Sequence, residues 1–428
     1  MSLARVLFAC AALSVAQAAA AQPASQRAPK AAPQRAPQLA RLTFVRDTAF
    51  PLNKHLGMNR VALDALVGRD GRVVVVPEAY YGTTEAAAMD SSGKKLPWSL
   101  KIGRGEEIGY VDRFGWAGDS VWLNDRGFRQ TVMLGRNGEI ARSVEPPSWI
   151  RPFWRDRRRY PLFRAALWYG MYGDGSLLAM PSQPRRLLDT PQFDENSRLF
   201  VRVDRDGRIL KTVATAPLMD GRITLRSGVE RKTLTVPNYP RPFWAIADDG
   251  ERLAVVVPEP RDSGAVRVTV VNADGDTIFA RRLVIDAIRV PDEGVNAFIA
   301  NLSAFGRYSA EQMRDTIRKL VPMYNSPLNG VDIGVDRTIW VGVRRPGIAT
   351  DSTEWVVLDS LGEPVGSAFL LRTFRRTALS LDKIWSLEHN RPKSFSTLVR
   401  FKRAAATTVR PSRSAPVSAA SAPVRRPE

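Results

Sequence analysis

Cysteine is almost missing from this 428-residue chain. Its single copy, Cys10, lies close to the N-terminus. A disulfide framework is therefore excluded, as is a cysteine-built zinc site. Histidine is nearly as scarce, with His55 and His389 alone, which excludes a histidine-rich metal centre. No apolar run after residue 21 is long enough to span a bilayer, so a polytopic helical membrane protein is excluded. The sequence also lacks a nucleophile elbow, a phosphate-binding glycine loop and zinc-ligand spacing. No motif in it requires a cofactor. Lysine is rare too, at 11 of the 63 basic residues. The formal charge of +20 is thus an arginine charge.

The first residues follow the layout of a secretory signal peptide. Met1 to Arg5 is a short basic start, and Val6 to Val15 is an apolar core. Ala16-Gln17-Ala18 and Ala19-Ala20-Ala21 then offer small residues for cleavage. The expected signal segment is 1–21. Cys10 follows only four apolar residues, too few for a lipoprotein box, so lipid anchoring through it is disfavoured. Export to a bacterial periplasm or to the medium is the location this implies. Residues 22–41 are rich in Ala, Pro and Gln, and 403–428 are similar with more Ser. Neither segment has enough apolar surface to offset its chain entropy, and both are expected to be disordered. Residues 42–402 keep a net charge of only +11, so nearly half of the excess lies outside the expected folded body. Export and the non-specific nature of such attraction argue against nucleic acid as the partner.

The body is punctuated by turn dipeptides set between short apolar runs. Asp70-Gly71, Gly118-Asp119, Asp174-Gly175, Asp249-Gly250, Asp336-Arg337 and Leu381-Asp382 each precede a strand-like run such as Arg72-Val73-Val74-Val75-Val76. A second series alternates with the first: Asp90 to Gly93, Arg136 to Gly138, Asp204 to Gly207, Ala273 to Gly275 and Leu361-Gly362. One unit is therefore four strands: a, tight turn, b, longer loop, c, tight turn, d. Five full units are followed by a sixth that stops after its third strand, Thr397 to Phe401. Leu42 to Arg46, before the first unit, is a strand candidate without a partner. Pairing it with the last unit removes two free sheet edges. These features predict an all-β, six-bladed β-propeller of four-stranded antiparallel blades, closed by its N-terminal strand. Two β-sandwiches would not explain two alternating turn series. A helical insertion at about 291–321 is expected between blades four and five. There Ser309-Ala310-Glu311-Gln312 forms a capping box, and Met313, Ile317 and Leu320 follow at helical spacing.

The elements Asp119-Ser120-Val121-Trp122, Asp382-Lys383-Ile384-Trp385 and Gly330 to Trp340 resemble the b strand of six-bladed propellers. The body as a whole is similar to exported, largely uncharacterised propellers related to NHL-repeat and TolB-like proteins. That resemblance implies a fold and no particular activity, because the superfamily holds binding scaffolds, lactonases and lyases alike.

In such a ring the a–b and c–d turns occupy one face, and the b–c and d–a loops the other. The second set carries the insertions: 77–84, 146–165, 181–197, 215–242, 284–329, 344–352 and 389–395. Function is expected on that long-loop face. Its most distinctive stretch holds Arg151, Trp154, Arg155, Arg157, Arg158 and Arg159, with Arg185 and Arg186 further along. Guanidinium forks pair with phosphate and carboxylate, and aromatic faces stack sugars or the arginines themselves. A protein or an anionic envelope polymer is the expected partner of a non-catalytic binding module. The alternative is a lactonase-like, metal-dependent hydrolase or lyase at the channel mouth. For it, no metal ligands or catalytic residues can be matched. Asp64, Asp112, Asp332 and Asn59 fall near innermost strands but also suit turns or caps. Trp122, Trp340 and Trp385 occupy equivalent b-strand positions and are expected to pack between blades. His389 falls at a long-loop position as a single histidine and is expected to be structural.

Overall fold

A computed structural model describes residues 39–58, 62–77, 82–125, 130–144, 167–180, 197–204, 208–217, 222–227, 230–235, 239–259, 264–285, 326–344, 351–371, 375–390 and 395–405, with Arg289, Asp292, Glu293, Asn296, Ile299 and Ala300. Two N-terminal strands come first, β1 (Arg41–Leu42) and β2 (Phe44–Pro51), followed by the single helical turn α1 (Leu52–His55). Blade 1 is β3 (Ala62–Val67), β4 (Val73–Pro77), β5 (Thr84–Met89) and β6 (Lys95–Ile102). Blade 2 is β7 (Val111–Ala117), β8 (Ser120–Asp125), β9 (Gln130–Leu134) and β10 (Ile140–Val144). Blade 3 is β11 (Leu167–Met171), β12 (Leu177–Met180), β13 (Ser197–Val203) and β14 (Ile209–Pro217). A separate hairpin, β15 (Arg222–Ser227) with β16 (Glu230–Thr235), precedes blade 4. Blade 4 is β17 (Phe243–Ile246), β18 (Arg252–Pro258), β19 (Ala265–Asn272) and β20 (Thr277–Val284). Blade 5 is β21 (Leu328–Ile333), β22 (Ile339–Val343), β23 (Ser352–Leu358) and β24 (Pro364–Leu371). Blade 6 is β25 (Arg375–Leu379), β26 (Lys383–Asn390) and β27 (Phe395–Arg403). The blades form a ring, an all-β propeller of six antiparallel units.

Blade 6 takes its fourth strand from the chain start. β2 runs antiparallel to β27, from Phe44 opposite Arg403 to Pro51 opposite Thr397. β1 does something the turn count does not foretell. It pairs parallel with β24, Arg41 opposite Ser367 and Leu42 opposite Ala368, and so adds a fifth strand to blade 5. Two consecutive short strands therefore tie the outer edges of two neighbouring blades.

Strand position within a blade is written in the hydrophobic pattern. β4 (VVVVP) and β22 (IWVGV) are buried at every residue, because a b strand is covered on both faces by the adjoining blades. β6 (KLPWSLKI) alternates toward its end, as an outer strand with one wet face does. Trp122, Trp340 and Trp385 are all buried, on b strands, in the packing between blades.

The tight turns share one geometry. Gly68 N–H donates to the Arg72 carbonyl at 2.7 Å, Tyr172 to Ser176 at 2.9 Å and Ala247 to Arg252 at 2.9 Å. The leading Asp takes the amide two residues on, as Asp70 does with Arg72 at 2.9 Å. The next position is left-handed, hence glycine: Gly71 has φ 82°, Gly175 82° and Gly250 72°. Blade 5 departs from this, with Arg337 at φ 70° in the same place.

The loop asymmetry holds. The a–b and c–d connections all have two to five residues, whereas those on the other face run from three to 43. Of the expected insertion at 291–321, Asp292, Glu293, Asn296, Ile299 and Ala300 are helical. Met313, Ile317 and Leu320 lie outside the described residues, as do the expected signal segment and most of both tails. No helix among the described residues is long and apolar enough to cross a membrane.

Candidate functional site

The innermost strands set the walls of the axial channel, and five of the six are irregular there. Register shifts fall between Ala62 and Asp64, Val111 and Arg113, Trp168 and Gly170, Leu328 and Gly330, and Arg376 and Ala378. A bulge re-aims side chains locally and tightens the strand's twist. Asp64, Arg113 and Arg376 all fall at the ends of such shifts, so polar groups enter an otherwise apolar ring.

A cavity of about 250 Å³ opens where the tight turns of blades 1, 2, 4 and 5 converge on the axis. Its wall includes Arg69, Arg72, Trp116, Asp248, Glu251 and Val335. Several contacts cross this end of the channel. Trp116 N–H of blade 2 donates to the Asp248 carbonyl of blade 4 at 2.7 Å. The Arg69 guanidinium of blade 1 reaches the Asp249 carboxylate and, at 3.4 Å, that of Glu251. Its Nε–H donates to the Val335 carbonyl of blade 5 at 3.3 Å. Arg337 of blade 5 donates to Glu251 at 2.5 Å. Arg72 lies 4.6 Å from the Trp116 ring centre and donates to the Asp119 carbonyl at 2.8 Å. One short turn, 247–251, is thereby tied to three other blades.

The carboxylates of Asp248 and Asp332 both titrate above their ordinary values here. Asp332 pairs with Arg376 at 3.4 Å, and that guanidinium lies 4.1 Å from the centre of the buried Trp355 ring. Enclosure by the ring raises the Asp332 carboxyl above its ordinary value, against the pull of Arg376 and the Ile333 N–H. Asp248 has no basic partner among the described residues. Asp248 is exposed to solvent at this mouth; desolvation, then the charges of Asp332, Asp64 and Asp249, push its carboxyl upward. Among the described residues, no three His, Cys, Asp or Glu side chains converge as a metal site would need.

The residues singled out from the sequence divide sharply. Arg151, Trp154, Arg155, Arg157, Arg158, Arg159, Arg185 and Arg186 lie outside the described residues, as does Asn59. Asp64 and Asp332 are not simple turn residues. Each accepts the N–H of its own neighbour, at 2.9 and 3.2 Å, within a channel strand. Asp248 was not singled out at all. It stands beside Asp249-Gly250 in Ala-Asp-Asp-Gly, where a turn accounts for every residue and only the ring reveals a second role. His55 Nδ1 lies 2.9 Å from the Gly93 carbonyl, and His389 Nδ1 lies 2.9 Å from Ser396 Oγ. That hydroxyl is fully buried and also accepts the Ala62 N–H at 3.0 Å, which places His389 in a link between blades 6 and 1.

No protein-family model matches the chain, and no curated protein matches its sequence. Among solved structures it is similar to a member of the DUF4221 family from Bacteroides vulgatus, at 11% identity and TM-score 0.38, over 85% of this chain and 99% of that one. A Bacteroides fragilis protein described as exported aligns at 12% identity and TM-score 0.39, over 85% and 95% of the two chains. The calcium-binding protein regucalcin from Agrobacterium tumefaciens aligns at 8% identity and TM-score 0.29, over 85% and 96%.

Proposed function

We propose that the protein is an exported, non-catalytic binding scaffold of the kind found among NHL-repeat and TolB-like propellers, and that its partner docks on the long-loop face. The observation that carries this reading is the division of labour between the two ends of the ring. Every connection at one end is a minimal turn, and its axial mouth is spanned by blade-to-blade contacts of Arg69, Trp116, Asp248 and Glu251. Variation in length is confined to the other end. A scaffold held rigid at one end and elaborated at the other is a binding architecture.

The chemistry of the partner follows from the longest arginine-rich connection. Arg151, Arg155, Arg157, Arg158 and Arg159 alternate with Trp154 and neighbouring aromatics, and Arg185 and Arg186 belong to the next long loop on the same face. Such a surface suits the carboxylates or phosphates of an anionic envelope polymer. The test is co-sedimentation of the full chain with purified cell-wall sacculi at low and high salt. Binding that falls at least about tenfold in the Arg155, Arg157, Arg158 and Arg159→Ser variant, with an unchanged melting curve, supports the reading. Equal binding by the two proteins removes the arginine loop from it.

A further inference from the structure

The contacts that span the tight-turn mouth leave part of its cavity wall unmatched. The two arginines of that wall are committed: Arg69 to Asp249 and Glu251, and Arg72 to the Trp116 ring, the Asp119 carbonyl and, at 3.8 Å, Asp70. Two carboxylates of the wall are not. Asp119 of blade 2 and Asp248 of blade 4 lend only backbone carbonyls to these contacts, to Arg72 and to the Trp116 N–H. Their side chains have no hydrogen-bond or ion-pair partner among the described residues. Both residues are exposed where they line the cavity. The same wall also holds donors without acceptors. Trp116 is 5% exposed, and its indole N–H meets no acceptor among the described residues. The nitrogen-side edge of that ring borders Gly68, a further wall residue: Cζ2 lies 3.1 Å from where a Cβ of Gly68 would stand. The Arg72 Nε–H likewise makes no hydrogen bond.

A guest that completes this wall must bring positive charge, and it must both donate and accept hydrogen bonds. Five carboxylates line the cavity against two guanidiniums, so the charge is lopsided. A metal ion does not fit the demand. Among the described residues no three His, Cys, Asp or Glu side chains converge as an ion requires, and a cation accepts nothing from an N–H. A plain alkylammonium accepts nothing either, whereas hydroxyls do both. The volume of about 250 Å³ lies just under the usual range of ligand pockets, roughly 300–1,000 Å³, which suits a single sugar ring and not a polymer. We infer that the axial cavity at the tight-turn end binds an amino sugar, its ammonium held by Asp119 and Asp248 and its hydroxyls by the Trp116 and Arg72 N–H groups. The site lies at the opposite end of the ring from the long-loop face and does not depend on the partner proposed for that face.

Isothermal titration calorimetry of the full chain tests this with glucosamine, N-acetylglucosamine and glucose, which share a ring and differ in charge. Glucosamine is expected to bind saturably at one site, and the two uncharged sugars at least about tenfold more weakly. Asp119→Asn and Asp248→Asn keep the side-chain shape and remove the charge. Each is expected to weaken glucosamine binding at least about tenfold, with an unchanged melting curve. Absence of glucosamine binding to the wild type overturns the proposal. Equal affinity for glucose overturns it too, since the carboxylates then read no charge, as does glucosamine affinity unchanged in both variants. If Asp248→Asn does not fold, Asp119→Asn decides alone, and unchanged affinity in that variant overturns the proposal.

Discussion

Arg337 reaches the Glu251 carboxylate of the neighbouring blade at 2.5 Å from a left-handed backbone, φ 70°. It is the one non-glycine residue with positive φ among the described residues. Gly71, Gly175 and Gly250 fill the equivalent turn position in blades 1, 3 and 4. An arginine there costs about 1–2 kcal/mol of backbone strain. Its ion pair is half exposed and worth about 0–1 kcal/mol. Strain thus outweighs the pair.

Arg337→Gly is accordingly expected to leave stability unchanged or to raise it by up to about 1 kcal/mol in urea unfolding. Glu251→Gln, which removes the pair and keeps the strained turn, is expected to destabilise slightly. If Arg337→Gly is instead the more damaging of the two, the arginine contributes through contacts other than Glu251.

Asp47 carries a pH dependence set by its ion pairs. It lies on β2 and accepts from Lys402 at 2.6 Å and Arg400 at 2.7 Å, both on β27. The Lys402 hydrogen bond, helped by Arg400 and Thr48 against a desolvation penalty, brings its carboxyl down to about 2. A lowered folded value means that the ionised form favours folding. Its contribution is complete above the ordinary 3.8 and is lost as pH falls through about 2. Asp47→Asn is therefore expected to melt lower than the wild type at pH 5, with the difference shrinking toward pH 2. A constant difference across that range would mean that packing, and not charge, is lost.

Much of the fold was legible because strand and turn are local properties. Runs such as Arg72 to Val76 and turns such as Asp70-Gly71 announce themselves within a few residues, and their alternation gives the blade count. That the chain start closes the last blade was inferable from an unpaired edge, although the strand that does so is Phe44–Pro51 and not Leu42 to Arg46. The parallel graft of Arg41 and Leu42 onto blade 5 was not, because two residues carry no periodicity. The axial site was legible only in fragments. Asp64 and Asp332 could be placed near the channel, but Asp248 looked like any residue in a tight turn. Its carbonyl accepts the Trp116 N–H, and only ring closure brings these two residues together. Sequence also pointed to the face with long loops, whereas the cavity lined by Arg69 and Trp116 lies at the other end.

Ring closure itself rests on a few side chains of β2, and Phe50 is chief among them. It is 3% exposed, stacks on Trp385 of β26 with ring centres 5.9 Å apart, and meets His55 edge-on at 5.5 Å. Val45, five residues earlier on the same strand, is 51% exposed. Burial, not strand membership, decides what each contributes. Phe50→Ala is expected to cost about 3–5 kcal/mol, through lost burial and the cavity left beside Trp385. Val45→Ala is expected to cost under about 0.5 kcal/mol. Phe50→Ala also loosens β2 from β27, which bares a long edge strand and favours edge-to-edge association. Urea unfolding of the two variants gives the energies, and size-exclusion chromatography during mild heating gives the association. Equal costs for the two substitutions would show that the β2–β27 backbone ladder alone seals the ring. A monomeric Phe50→Ala protein throughout heating would show that blade 6 keeps its fourth strand without the Phe50–Trp385 stack.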